Sequence, residues 1–248
     1  QLEAIAEIAK NNDNIDFICV GGDIINGYET EEGAREKAAG QITRQLDALA
    51  KSGKMVFVLM GNHDDGTFHR IYYPWGGEIH KEIAFSDKYW RDHFMTPYMP
   101  ENCVYDSQYP WSKYYYYDLT DKKTRIICLD AIDYRAKYDK NGVIKELPVK
   151  DASKTHEEDR YWSGCNYWGY SEGQIRWLVE EAMTAPADWD YVFMSHMGID
   201  VNTQTNYYEP HYGTTLRSII NAFQSRKEFS FGGLSANYSK ATGRVLSY

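Results

Sequence analysis

Five residues, Gly61–Asp65, read Gly-Asn-His-Asp-Asp and place an amide, an imidazole and two carboxylates in succession. They follow the apolar run MVFVLM at positions 55–60. A short apolar run that gives way to polar residues is typical of a buried strand and its exit loop. Oxygen and imidazole donors suit hard to borderline metals such as Mn, Fe or Zn. The turn is therefore either an ordinary polar loop or one wall of a metal site.

Two other apolar runs end in residues of the same kind. The run DFICVGGD (16–23) ends at Asp23, with Asn26 three positions later, and DYVFMSH (190–196) ends at His196. An Asp at a strand end is often a helix cap, and a lone His is often a hydrogen-bonded structural residue. Ligands of α/β proteins gather at the carboxyl ends of strands, so the three exits together favour a metal site.

The elements that must position these residues follow from periodicity. Strand, helix and strand alternate over the first 65 residues, which predicts a parallel α/β sheet. Ser171 and Gln174 have the spacing of a capping box and open a helix. The remaining elements expected are a helix from residue 2, a helix over 32–52, a short helix near 86–94, a hairpin over 114–130 turning at 120–123, a helix over 215–224 and a strand over 243–248.

Two irregular segments, 66–112 and 134–170, interrupt this rhythm. The chain has 22 Tyr and 7 Trp, and many of them lie in its middle third. We interpret both segments as insertions that form part of a substrate pocket within one domain spanning 1–248.

Cys19 and Cys128 lie in apolar runs, and we expect both to be buried.

The formal net charge of −9 disfavours binding to long nucleic acid, although a bound cation can reverse the local field for a small phosphorylated substrate. No apolar run is long enough for a transmembrane helix. We predict a soluble protein with no membrane partner and favour the cytoplasm, although a signal peptide preceding residue 1 would change that compartment.

The order of three motifs resembles the calcineurin-like metallophosphoesterase superfamily. They are GGDIIN (21–26), GNHDD (61–65) and SHMG (195–198), and the helix SEGQIRWLVEEAM (171–183) resembles the family's Gln-x-x-Trp-Leu helix. The motif-bearing resemblance covers about 1–66 and 171–200. Two family motifs, Asp-x-His and Gly-His-x-His, do not occur in the 248 residues. We expect them just beyond the two ends, as in a chain truncated at both termini.

The resemblance implies a role for each residue. Asp23 would bridge two metal ions, Asn62 and His196 would bind the second ion, and His63 would be the catalytic histidine. Asn26 would orient His63, and Asp64 would support the ligands. In the intact protein the cofactors would be two divalent or trivalent ions, Mn, Fe or Zn.

The family's fold implies a four-layer α/β/β/α sandwich of the metallo-dependent phosphatase type with an aromatic-rich insertion. Its chemistry implies hydrolysis of a phosphomonoester or a phosphodiester by a metal-activated bridging water. Two alternatives remain open. One is a nuclease of the same superfamily, and the other is a non-catalytic interaction module that keeps the fold.

Overall fold

The computed structural model describes residues 1–27, 33–64, 85–133, 137–138, 144–146, 169–199 and 212–247. The chain divides into two compact units. The first comprises Gln1–Glu101 and Arg135–Tyr167, and the second comprises Asn102–Tyr134 and Trp168–Tyr248.

The elements are numbered in chain order. The helices are α1 (Leu2–Lys10), α2 (Ala34–Ala50), α3 (Asp87–Trp90, continued by the π-helix Arg91–Met95), α4 (Glu172–Trp177, continued by the π-helix Leu178–Ala182) and α5 (Gly213–Gln224). The strands are β1 (Phe17–Val20), β2 (Met55–Val58), β3 (Val104–Tyr105), β4 (Tyr115–Leu119), β5 (Thr124–Leu129), β6 (Lys137–Tyr138), β7 (Ile144–Glu146), β8 (Asp190–Ser195), β9 (Glu228–Phe231), β10 (Leu234–Asn237) and β11 (Val245–Ser247).

In the first unit, β1 and β2 pair in parallel, which confirms the predicted β-α-β order. Residues of α2 that recur at helical spacing, Ile42, Leu46 and Leu49, are buried, as is β2 over Val56–Val58. Burial of apolar surface stabilises a fold by about 25 cal/mol per Å². The buried side chains of α2 and β2 therefore contribute to the core of the first unit.

The expectation that β1 is a buried strand is wrong. Its four residues are half-buried or exposed, and Cys19 is exposed, whereas Cys128 of β5 is buried as expected. The physical reason is that β1, within the described residues, pairs with β2 alone. A strand at a sheet edge lacks the neighbour that covers a central strand.

An aromatic cluster surrounds α3. Phe85, Trp90 and Phe94 are buried and contact one another, and Tyr89 stacks on Phe85 with a centroid separation of 5.2 Å. The guanidinium of Arg35, on α2, lies 4.5 Å from the Tyr89 ring centre, which is within the range of a cation–π contact. These contacts hold α3 against α2.

The second unit is built on a mixed sheet with the strand order β11-β8-β5-β4-β3. The predicted hairpin is confirmed, because β4 and β5 pair in antiparallel fashion and a 3₁₀ turn over Thr120–Lys122 joins them. Strand β8 pairs in parallel with both β5 and β11. Trp177 and Leu178 of the Gln-x-x-Trp-Leu helix are fully buried in the core of this unit.

One hairpin was absent from the sequence-based expectations. Strands β9 and β10 pair in antiparallel fashion around Gly232 and Gly233, both of which have positive φ. A Gly-Gly pair between short alternating segments is a hairpin signal, because only glycine adopts both conformations without strain.

The α/β class with a central mixed sheet and helices is confirmed. The predicted insertions stay predictions, and residues 66–84, 134–136, 139–143 and 147–168 of them lie outside the described residues. Within the described part of 66–112, Val104–Tyr105 pairs with β4 and so belongs to the mixed sheet. Among the described residues, none of the helices has the length and apolar composition that a membrane span needs.

Candidate functional site

Two loops of the first unit leave the sheet at the same edge. Strands β1 and β2 run parallel with Val20 opposite Val58, and the Leu59 N–H donates to the Val20 carbonyl at 2.9 Å. The loop after β1 carries Asp23 and Asn26, and the loop after β2 carries Asn62, His63 and Asp64. The structure therefore brings the predicted residues of the first two motifs to one carboxyl edge, where ligands bind in α/β proteins.

The buried side chain of Asp64 connects these two loops by hydrogen bonds. Its side chain is fully buried, and its Oδ1 accepts from the backbone N–H groups of Ile24 at 2.7 Å and Ile25 at 3.1 Å. Its Oδ2 accepts from the Gly61 N–H at 2.8 Å. Burial raises the pKa of Asp64 to about 6, as does the charge of Asp23, while the three backbone donors oppose that rise. Asp64 thus holds the loops in place and is turned away from solvent.

Asp23 lies directly over Gly61. Its φ is 51°, a left-handed conformation that Asp tolerates better than most residues. Its Oδ1 accepts from the His63 N–H at 3.0 Å. A Cβ added at Gly61 would lie 2.1 Å from the Asp23 backbone nitrogen and 2.2 Å from its Oδ1. Only glycine at position 61 allows this approach.

The ring of His63 is oriented by the backbone of Asn26. Its Nδ1 lies 2.8 Å from the Asn26 carbonyl oxygen. A carbonyl oxygen only accepts, so Nδ1 carries the hydrogen, and Nε2 is the ring nitrogen on the side of Asp23. Asp23 Oδ2 lies 3.8 Å from Nε2, and the side chains of His63 and Asp23 are 22% and 37% exposed. An imidazole nitrogen and a carboxylate therefore lie close together at a partly exposed position.

Asn62 lies between these residues in the turn and is 6% exposed. Its assignment as a metal ligand stays a prediction. His196 belongs to the second unit, where it follows Ser195, the last residue of β8. Ser195 is opposite Leu129 of β5, and its Oγ lies 3.2 Å from the Tyr170 hydroxyl. The predicted sharing of one metal by His196 and Asn62 stays a prediction.

The donor chemistry of the first unit fits part of a metal site. The Asp23 carboxylate and the Asn62 amide are oxygen donors of the kind that hard and borderline cations prefer. Within the described ranges, no three His, Cys, Asp or Glu side chains form a cluster that could hold a metal ion. The first unit accordingly presents two of the predicted donors at one strand edge.

Sequence reasoning missed two features of this edge. It expected Asn26 to orient His63 but did not foresee that the backbone carbonyl of Asn26 makes the described contact. It also gave Gly61 no role, although Gly61 packs against Asp23. A glycine directly before polar residues at a strand end is the signal that indicates such a close backbone approach.

Comparisons with known proteins agree with this geometry. A family model described as calcineurin-like phosphoesterase matches residues 1–200. A search of curated proteins gave no match. Among solved structures, the chain is similar to a dimetal phosphatase from Danio rerio, with a TM-score of 0.56 and 14% sequence identity over 94% of this chain and 74% of that one. At that identity the likeness concerns the fold alone.

Proposed function

The chain belongs to the calcineurin-like phosphoesterase family, and from that membership we propose that it hydrolyses phosphate esters in a metal-dependent reaction. The observation that carries the proposal is the pairing of Asp23 with the Nε2 side of His63 at the carboxyl edge of β1 and β2. A carboxylate can bind a cation and an imidazole can transfer a proton, and such a hydrolysis uses both kinds of group.

Asp23 and Asn62 would hold the metal, and the similarity in fold to a dimetal phosphatase supports a centre of two ions. Bound there, Mn, Fe or Zn ions would supply Lewis acidity toward the phosphate and an activated water for attack at phosphorus. His196 keeps its predicted place as a further ligand. In this proposal Asp23 and Asn62 bind metal, His63 acts on the substrate and Asp64 supports the two loops.

His63 would act on the reacting oxygens. Because its Nδ1 hydrogen is engaged by the Asn26 carbonyl, the ring presents Nε2 in a fixed direction. In its protonated form, Nε2 donates a hydrogen bond to a phosphoryl oxygen or passes its proton to the departing oxygen. Asp64 would keep the loops of Asp23 and His63 in register through its three backbone hydrogen bonds.

The net charge of −9 supports a small phosphorylated substrate over a long polyanion. A small substrate places few phosphates near the acidic surface, whereas long nucleic acid is repelled along its length.

The test is a hydrolysis assay with added Mn²⁺ on p-nitrophenyl phosphate, bis(p-nitrophenyl) phosphate, a cyclic nucleotide and a single-stranded oligonucleotide. We expect turnover of at least one of the first three compounds. His63→Gln should lower kcat by about 10²–10⁴-fold, the range of a lost general acid. His93→Gln is the matched control, because His93 stacks on Tyr89 and has no role in the proposed chemistry.

Three results would each contradict one part of the proposal: catalysis itself, the small substrate, or the role of His63. Folded protein that binds Mn²⁺ or Zn²⁺ but hydrolyses none of these esters would support the interaction module instead. Preference for the oligonucleotide would support the nuclease. Equal activity of His63→Gln and His93→Gln would remove His63 from the mechanism.

A further inference from the structure

The loop after β1, residues 21–27, carries two groups of the candidate site. One is the Asp23 carboxylate, and the other is the Asn26 carbonyl oxygen, which lies 2.8 Å from His63 Nδ1. The backbone of this loop is unusual, because Gly22 and Asp23 have successive positive φ values of 91° and 51°. A positive φ is unfavourable for most residues other than glycine, and it persists only where surrounding contacts hold the chain. The contacts that hold this loop therefore decide where its two functional groups lie.

Ile24, between these two groups in the sequence, is held through both of its backbone polar groups. Its N–H donates to Asp64 Oδ1 at 2.7 Å. Its carbonyl oxygen accepts from Gln45 Nε2 at 2.7 Å, a distance at the short end of the usual range for N–H···O hydrogen bonds. Asp64 follows β2 and Gln45 belongs to α2, so two separate elements hold one residue of the loop. The role of Asp64 is part of the site already described, whereas the role of Gln45 is not.

Gln45 is presented by a firmly packed part of the first unit. Ile42, Leu46 and Leu49 of the same helix are 0%, 0% and 5% exposed, so close packing fixes the position of α2. Gln45 itself is half-buried, and its amide reaches a carbonyl 21 positions earlier in the chain. The helix therefore gives the loop a fixed point of attachment.

The chemistry of a glutamine amide suits this position. The Ile24 carbonyl oxygen is an acceptor, and the glutamine NH₂ group donates to it without carrying a charge. Lysine or arginine at position 45 would also donate, but its positive charge would oppose the binding of a cation by Asp23. Glutamate would place a carboxylate oxygen against the carbonyl oxygen, and the two would repel each other.

We propose that Gln45 is a positioning residue of the phosphoesterase centre, which holds the Asp23 carboxylate and the Asn26 carbonyl in place through Ile24. Asp23 directly precedes Ile24, and Asn26 follows it by two positions. Loss of the Gln45 hydrogen bond allows the Ile24 carbonyl to turn toward water, so the backbone from Asp23 to Asn26 is less restrained. The metal part of this proposal rests on the proposed function, whereas the orientation of His63 by the Asn26 carbonyl does not.

The first test compares the metal affinity of Gln45→Met with that of Gln41→Met. Methionine is similar in size to glutamine but has no N–H donor in its side chain, and Gln41 is half-buried on α2 one turn before Gln45. Circular dichroism first establishes conditions in which all chains are folded. Isothermal titration with Mn²⁺ should then give a Kd about tenfold higher for Gln45→Met than for the wild type, the lower end of the range for groups that support metal ligands. Gln41→Met should keep the wild-type Kd.

The second test needs no metal. In metal-free, ¹⁵N-labelled chain in mildly alkaline buffer, long-range ¹H–¹⁵N correlations report which ring nitrogen of His63 carries the hydrogen, and His63→Gln identifies its signals. We expect the wild type and Gln41→Met to carry it on Nδ1, next to the Asn26 carbonyl. In Gln45→Met the Nδ1 signal should shift toward that of an unprotonated nitrogen, since the carbonyl no longer has a fixed place. A side chain that only stabilises the fold would not change this signal in a folded chain.

The two measurements separate the possible failures. If Gln45→Met does not fold, Gln45→Glu takes its place in the His63 measurement, because ionised glutamate has nearly the same shape and no donor. A wild-type chain that binds no Mn²⁺ would overturn the proposed function, and the His63 signals would still decide whether Gln45 positions the loop. A Gln45→Met chain that matches Gln41→Met in both measurements would overturn the positioning role, even if it unfolds at a lower urea concentration.

Discussion

At the scale of single residues, the candidate site is built by backbone groups as much as by side chains. Asp64 accepts three backbone N–H groups, Asp23 accepts one, and His63 is held by a carbonyl oxygen. In these contacts Asp64 uses both carboxylate oxygens, Asp23 uses Oδ1 and His63 uses Nδ1. Asp23 Oδ2 and His63 Nε2 lie 3.8 Å apart, on two side chains that are partly exposed.

Gly61→Ala should disturb Asp23 directly. The new methyl group would lie 2.2 Å from Asp23 Oδ1, so the carboxylate or the turn must move. We expect a loss of about 1–3 kcal/mol in the free energy of unfolding, the usual cost of overpacking. Metal affinity should fall more than tenfold, as measured by isothermal titration with Mn²⁺.

Gly21→Ala is the control for this change. Gly21 lies in the loop after β1, and a Cβ built there meets nothing within 4 Å. Its stability and metal affinity should stay near those of the wild type. A Gly61→Ala chain that matches Gly21→Ala in both measurements would show that the approach of Gly61 to Asp23 has no importance.

Asp64→Asn should weaken the connection between the two loops. An amide keeps one acceptor oxygen but turns an NH₂ group toward a backbone donor, so at least one of the three hydrogen bonds is lost. A buried donor left unpaired costs about 1–3 kcal/mol, which urea denaturation would detect. Asp13→Asn, at an exposed position of the same unit, should change stability little, and an equal loss in both variants would refute the buried role of Asp64.

At the scale of elements, the helix α4 is joined to the exit of strand β5. The Gln174 side chain accepts from the Asp130 N–H at 3.0 Å and donates to the Asp130 carbonyl at 2.9 Å, as a paired strand would. Lys113 Nζ lies 2.8 Å from Asp130 Oδ2 in a pair that is almost completely buried. These contacts fix the end of β5, the neighbour of β8 at Ser195.

Gln174→Leu tests how much the hydrogen bonds between Gln174 and Asp130 stabilise the chain. Leucine has a similar size but leaves the Asp130 N–H and carbonyl without their partner in a buried place. We expect a loss of about 1–3 kcal/mol in the free energy of unfolding, measured by urea denaturation. Glu172→Gln, on the exposed side of α4, is the control and should stay within about 0.5 kcal/mol of the wild type. A Gln174→Leu chain as stable as this control would contradict the role given to Gln174.

At the scale of the whole molecule, metal binding and stability should be linked. A cation that binds the folded chain and not the unfolded chain stabilises the fold in proportion to the logarithm of its concentration. At a hundred times its Kd the gain is about 2.7 kcal/mol. The acidic net charge of −9 also favours uptake of a cation over an anion.

Adding Mn²⁺ or Zn²⁺ at that concentration should raise Tm by about 5–10 °C for a chain of this length, and excess EDTA should reverse the change. Differential scanning calorimetry would measure the shift. Asp23→Asn should abolish most of it, because that change removes the anionic donor. A shift of the same size in Asp23→Asn would mean that the metal binds elsewhere.

The sequence by itself determined the kinds of residues at the strand exits and most of the elements that carry them. Periodicity predicted α2, the β4–β5 hairpin and the cap of α4, where the Ser171 hydroxyl accepts from the Gln174 N–H at 3.0 Å. These features depend on neighbours within a few positions. Local spacing and residue type are therefore enough to predict them.

Only the tertiary structure decided which atoms make the hydrogen bonds and close contacts. The inward turn of Asp64, the fit of Gly61 against Asp23 and the bond from His63 to the Asn26 carbonyl join residues about 40 positions apart. The Gln174–Asp130 pair spans 44 positions. Hydrogen bonding and close packing depend on distances of a few tenths of an ångström between such distant segments. Those distances are set when the strands pair and the loops pack over them. The spacing of residues along the sequence does not specify them.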